Sequence, residues 1–394
     1  MAVDFVHAVD RHTLSADIFC RVVDNFGDAG VCWRLAQRLS QGLGWRVRLF
    51  IDNLLPLAAI EPQLHAQRKV QVLRGVEVLA WEQGEVSACA QVVIEAFACD
   101  PPAAYIERMR EASRAPVWIN LEYLSAEAWV SGCHTLPSPQ TNGLTKYFFF
   151  PGFWDHTGGV IHAPAELSAM TAAAHDPRAV LKSFGVRPDP EATVALLFCY
   201  PAACIDPMLE DAASTGRALH FLIPSGAVAD RLLGTQSIVR QGRMSFQRLA
   251  FCPQARFDEL LAACDLNFVR GEDSLVRAVL AGKPFVWNIY AQEDYAHLNK
   301  LQAFIQWWEI GAAPELQSIV RAAHSAWNNH HWPAGTFDEM MQLLPRWGVH
   351  AQGVAGRVWL EEDLGSQLAS FVRDKLNLQV SEAAAQESTV TSAQ

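Results

Sequence analysis

Short apolar stretches recur along this chain in two successive series, and helix-like stretches separate many of them. The first series is "DIFCRVVD" (residues 17–24), "WRVRLFID" (45–52), "QVVIEAF" (91–97), "PVWINLEYL" (116–124) and "KYFFFPGF" (146–153). The second is "TVALLFCY" (193–200), "ALHFLIP" (218–224), "MSFQRLAF" (244–251), "LNFVR" (266–270) and "PFVWNIY" (284–290). Continuously apolar strands alternating with helices imply a parallel sheet covered on both faces. Between the series, residues 157–189 show a weaker pattern, which predicts a hinge. With 394 residues, 51% of them hydrophobic, the chain is long for one core. The expectation is an α/β fold of two doubly wound, Rossmann-like domains facing across a cleft.

The predicted boundaries are an N-terminal extension (1–16), a front domain (17–165), a linker (166–190) and a rear domain (191–355). A closing helix (356–380) and a small, polar, disordered tail (381–394) follow. The first sixteen residues do not read as a signal peptide, and no run of eighteen apolar residues occurs. The nine cysteines are scattered without a CxxC pair, so reduced thiols in a cytoplasmic protein are expected. A net charge of −11 argues against nucleic acid as the main partner, and no membrane contact is expected.

Ligands of open α/β sheets bind beyond the carboxyl ends of the strands. At the first such end stands "RVVDNFGDAGVCWRLAQRL" (21–39), where Val31, Leu35 and Leu39 give the following helix a buried stripe. Asp24 and Asp28 sit in its turn. Asp28 caps the helix or acts chemically, and Asp24 pins the turn or acts with it; the residues alone favour capping. Gly27 and Gly30 do not form GxGxxG, which disfavours a dinucleotide oxidoreductase.

The second such end is "FCPQARFDELLAACDLNFVRGEDSLVRAVLAGKPFVWNIY" (251–290). A helix starting after the turn "GEDS" offers free N–H groups to a diphosphate, Arg270 adds positive charge, and Phe251 suits a nucleobase. Asp273 or Ser274 as a helix cap and Phe251 as core are the structural alternatives. The chain has no D-x-D triplet, so a metal-free leaving group is expected.

These stretches, with "LEYLSAEAWV", "LPSPQ", "YFFFPGF" and "AGKPFVWNIYAQEDYAHLNKL", resemble the bacterial elongation factor P arginine rhamnosyltransferases, the EarP family, from about Ile18 to the last helix. The resemblance implies a GT-B glycosyltransferase that moves L-rhamnose, with inversion, from TDP-β-L-rhamnose to an arginine guanidine of elongation factor P. That protein helps ribosomes stalled at polyproline. No cofactor and no metal are implied. Asp28 becomes the catalytic base, with Asp24 beside it at the acceptor site and Glu272 in both the catalytic and donor groups. Tyr200, Phe251, Gln254, Arg270, Glu272, Asp273, Ser274 and Tyr290 become the donor site. Glu122 and Tyr123 are acceptor-side candidates; a solvated Glu122 and a core Tyr123 explain them equally well. A transferase acting on another acceptor, or a nucleotide-binding module without catalysis, are the competing readings.

Overall fold

A computed structural model describes residues 13–24, 26–292 and 295–391. The front sheet comprises β1 (Ser15–Cys20), β2 (Arg46–Ile51), β3 (Val70–Leu73), β4 (Val76–Ala80), β5 (Val92–Ala96), β6 (Val117–Leu121), β7 (Pro137–Pro139) and β8 (Thr145–Phe149), in the order β3-β4-β2-β1-β5-β6-β8-β7. Its strands run parallel except β3 and β7, which pair antiparallel at the two edges. The rear sheet comprises β9 (Thr193–Leu197), β10 (Leu219–Pro224), β11 (Ile238–Gln241), β12 (Met244–Leu249), β13 (Leu266–Arg270) and β14 (Phe285–Asn288), in the order β11-β12-β10-β9-β13-β14. Only β11 is antiparallel there. The two-domain α/β architecture expected from the alternation is present.

The hairpin β3–β4 is absent from the sequence expectations, although "VQVLRGVEVLA" alternates around Arg74-Gly75. Both turn residues have positive φ, 52° and 79°, the geometry that matches strand twist. Residues 157–189, where the weak pattern predicts a hinge, carry regular structure. They hold the helices Pro164–His175 and Pro177–Ser183, each opened by a proline in its first turn. Of their residues only Met170, Ala173 and Leu181 are buried apolar anchors, and these join the rear core. So few anchors leave no periodic signal.

The end of the chain also departs from expectation. A long helix, Thr336–Leu360, stays with the rear core, and a second, Leu364–Thr391, returns to the front domain. Leu364, Leu368, Ala369 and Val372 bury themselves in the front core. Arg38 clamps Asp363 at the crossover through bonds of 2.9 and 2.7 Å. The stretch expected as a disordered tail continues this helix through Thr391, because "EAAAQE" consists of strong helix formers. At the other end β1 starts at Ser15, inside the predicted extension; residues 1–12 and 392–394 lie outside the described residues. Among the described residues no helix is long and apolar enough to cross a membrane.

Strand order reverses between β1 and β5 in front and between β9 and β13 behind. Each reversal opens a crevice at the carboxyl ends of its strands. The loops that leave β1, β9 and β13 meet there.

Candidate active site

The front wall begins where β1 stops at Cys20, short of the predicted strand end at 24, and the helix Phe26–Gln37 starts. Asp28, third in that helix, is buried. Its Oδ2 accepts the backbone N–H groups of Val23 at 2.7 Å and Asp24 at 2.9 Å. The carboxylate therefore braces the preceding loop rather than capping its own helix. Burial raises its pKa, against the pull of those two N–H groups, and the charges of Asp24 and Asp52 raise it further. Asp24 is half-buried, and its Oδ2 accepts a hydrogen bond from the Tyr200 hydroxyl at 2.8 Å. Burial raises its pKa too, opposed by Tyr200 and by the charge of Arg270.

The rear wall is the helix Gly271–Ala281, which begins directly after β13. "GEDS" is thus its first turn, not a turn before it. Arg270 is the N-cap and no side chain caps this end, so the capping role considered for Asp273 and Ser274 does not hold. The first N–H groups stay available. Gly271 has φ of +67°, and a Cβ there would lie 3.4 Å from both Asp24 Oδ2 and the Tyr200 hydroxyl. The Arg270 guanidinium lies 4.7 Å from the Phe198 ring centroid and 4.9 Å from that of Tyr200.

Glu272 and Asp273 would repel an anion at this helix end if they faced it unpaired. Both are engaged by the front domain. Glu272 Oε2 accepts the Leu124 N–H at 2.9 Å, and Asp273 Oδ1 accepts Arg34 Nε at 2.7 Å. Gln254 Nε2 donates to the Gly30 carbonyl at 3.0 Å and to Asp273 Oδ2 at 3.3 Å. Burial pushes Glu272 up to about 7; Lys300 and the Leu124 N–H pull it down, and the charges of Asp28 and Asp24 push it up.

Two cavities meet at this junction. The first, about 780 Å³, is lined by Phe26, Tyr200, Phe251, Gln254, Arg270 and the first turn Gly271–Ser274, among others. The second, about 750 Å³, is lined by Asp24, Asp28, Phe97, Tyr123, Glu272, Tyr290 and Lys300, among others. Asp24, Gly27, Gly271 and Glu272 border both. The first offers aromatic walls, a guanidinium and an uncapped helix end. The second offers three carboxylates, which suit a cation.

Most of the predicted residues converge here, with exceptions. Tyr290, expected on the donor side, lines the second cavity and packs edge-on against Tyr200, with centroids 5.7 Å apart. Glu122, partly exposed, faces a third cavity behind Glu272, where Asn120 Nδ2 donates to it at 2.6 Å, and does not line the second cavity. Tyr123 does reach the second cavity, stacked on Phe97 at 4.2 Å. Arg34, Lys300, Phe26 and Phe97 were not anticipated. Arg34 carried a signal, a lone charge inside the apolar "VCWRLA" stripe; Lys300 carried none.

Comparison with known proteins agrees with this geometry. Residues 16–373 match the family described as elongation factor P (EF-P) rhamnosyltransferase EarP. A protein-arginine rhamnosyltransferase of Pseudomonas aeruginosa is 41% identical over 374 residues, covering 92% of this chain and all of that protein. One from Pseudomonas putida is 40% identical over 372 residues, covering 91% of this chain and 99% of its own length. A solved structure described as the structural basis for EarP-mediated arginine glycosylation of translation elongation factor EF-P superposes with a TM-score of 0.65 at 28% identity, covering 92% of this chain and 99% of that one. A glycosyltransferase from Rickettsia africae shares the fold alone, with a TM-score of 0.50 at 8% identity, covering 93% of this chain and 98% of that one. The two Rossmann-like domains are therefore those of a GT-B glycosyltransferase, and the chain belongs to the EarP family of protein-arginine rhamnosyltransferases.

Proposed function

We propose that the protein rhamnosylates one arginine of elongation factor P with TDP-β-L-rhamnose as donor, inverting the anomeric centre without a metal. The relatives' names support the reaction, and the solved relative's description supports the acceptor. The observation that carries the reading is the meeting of an anion-suited cavity and a cation-suited cavity at Asp24, Gly27, Gly271 and Glu272.

In this reading the thymine lies by Phe251 and Gln254, and the diphosphate lies against the uncapped helix end beside Arg270 and Ser274. The acceptor guanidinium enters the second cavity among Asp24, Asp28 and Glu272. A guanidine with a pKa of about 13.8 is a weak nucleophile. A carboxylate that pairs with it fixes its plane and takes its proton as the bond forms. The guanidine nitrogen attacks the anomeric carbon, the bond to the diphosphate oxygen breaks, and TDP leaves with the electron pair. The proton goes to Asp28. Attack from the side opposite the leaving group inverts the centre. All nine cysteines are free thiols, which supports a reducing cytoplasm, where a translation factor is at hand. There the product would serve ribosomes stalled at polyproline.

The test is the intact mass of elongation factor P after incubation with this protein and TDP-rhamnose, with and without EDTA. One added deoxyhexose on arginine, of α configuration by NMR, is expected in both. Transfer to no residue of that protein would refute the acceptor, and loss of transfer with EDTA would refute the metal-free step.

A further inference from the structure

Arg34 lies outside the two cavities, and of its partners only Asp273 borders one, yet together they join the walls. Arg34 stands six residues after Asp28 on the same front helix and is buried, with 5% of its surface exposed. Its carboxylate partners all come from beyond the front sheet. Asp258, on the helix Gln254–Ala263, takes two bonds of 2.9 and 2.7 Å from its terminal nitrogens. Asp273, in the first turn of Gly271–Ala281, takes the 2.7 Å bond from Nε. Glu166, on the helix Pro164–His175, lies at 3.5 Å and is shared with the buried Arg277 at 2.9 Å.

Nothing in the proposed chemistry explains so costly a cluster. Taking charges out of water is repaid only by close geometry and full hydrogen bonding. Two arginines against three carboxylates also make each arginine indispensable. Removing the charge of Arg34 would leave the buried Asp258 and the partly buried Asp273 and Glu166 with Arg277 as the remaining arginine of the cluster. The planar guanidinium uses a fork that a lysine ammonium does not reproduce.

The connections run straight into both cavities. Asp273 neighbours Glu272 and Ser274 at the anion-suited helix end, and its other oxygen accepts Gln254, which in turn donates to Gly30 on the Asp28 helix. We propose that Arg34 is a positioning residue for sugar transfer, fixing the helix that carries Asp28 against the helix end and the Gln254 amide that hold the donor. The inference rests on the functional reading above. It assigns Arg34 no contact with either substrate. A shift of the Asp28 helix by about 1 Å would cost on the order of a hundredfold in rate while leaving each binding cavity assembled.

The experiment compares wild type, Arg34→Lys and Asp258→Asn in transfer kinetics with folded elongation factor P and in TDP binding by calorimetry. Arg34→Lys should lower kcat by about a hundredfold, with KM for the acceptor and the TDP Kd changed by no more than a few-fold. Asp258→Asn tests the same pin from the other side, should Arg34→Lys fail to fold, and should show the same kcat-against-KM split. The double variant should lose little more than Arg34→Lys alone, because both break one interaction. Wild-type kcat in either single variant would overturn the proposal, as would losses that fall on binding as heavily as on kcat. Wild type that does not transfer rhamnose would strike the functional reading itself, and the pin with it.

Discussion

The Tyr200 hydroxyl of the rear domain donates to the Asp24 carboxylate of the front domain at 2.8 Å, directly over Gly271, where the two cavities join. One bond thus ties the acid-lined wall to the donor wall. Tyr200→Phe keeps the ring on Arg270 and Tyr290 and removes only this bond. About 1 kcal/mol of net interaction is lost. Transfer should slow several-fold to tenfold, with little change in the melting point, as steady-state kinetics beside a thermal melt would show.

Glu272 gives the pH dependence a definite sign. Its folded pKa is pushed up to about 7, whereas an unfolded glutamate titrates near 4.3. Below about pH 4.3 both states hold the proton, and the fold keeps its full advantage from this group. As pH rises from there through 7 the unfolded chain has released the proton first, so stability is lost across that window. Burial raises Asp24 and Asp28 in the same direction. Glu272→Gln removes this group's part of the slope. Between pH 5 and 8 wild type should lose on the order of 2 kcal/mol relative to that variant, measured by denaturant melts at matched ionic strength.

What the sequence disclosed follows from range. Strand–helix alternation is local, and so is a turn residue at a strand end; the two walls and the positions of Asp24, Asp28, Arg270 and Gly271 were legible. The pairing of walls is not local. Asp273 looked like a diphosphate or capping residue because Arg34, its partner, lies 239 residues away in the chain. Tyr290, a donor-side candidate by sequence, lines the second cavity while its ring packs against Tyr200 of the first, a placement that depends on a contact 90 residues away in the chain. Glu122 is Tyr123's neighbour in sequence but lines another cavity, held by Asn120. The hairpin at Arg74-Gly75 is legible in the alternation around its turn; the helices of residues 157–189 are not, since small residues bury little and leave no period.

Asp28→Asn separates chemistry from architecture. The amide oxygen of asparagine can accept the same two N–H groups of Val23 and Asp24 that Asp28 Oδ2 accepts. The loop should hold its shape, and removal of a charge that burial disfavours should leave the melting point unchanged or higher. The base is gone, however. Transfer should fall by about a thousandfold with TDP affinity within a factor of two or so, in single-turnover assays and calorimetry. Turnover near wild type would remove Asp28 as the proton acceptor.

Two glycine substitutions should move stability in opposite directions, for reasons of backbone alone. Gly271 has φ of +67°, and an added Cβ would meet Asp24 Oδ2 and the Tyr200 hydroxyl at an ordinary 3.4 Å. The cost of Gly271→Ala is therefore left-handed backbone rather than collision, about 1–2 kcal/mol. Relief of that strain would turn the first N–H groups of the helix Gly271–Ala281, so TDP should bind several-fold more weakly as well. Gly348 lies inside the helix Thr336–Leu360, and a Cβ there meets nothing within 4 Å. Gly348→Ala should raise stability by about 0.5–1 kcal/mol through the unfolded chain's lost freedom and leave TDP binding alone. Thermal melts and TDP titrations of the two variants side by side check both signs: equal stabilisation would mean that Gly271 is an ordinary helix residue, and unaltered TDP affinity in Gly271→Ala would detach the helix end from the diphosphate.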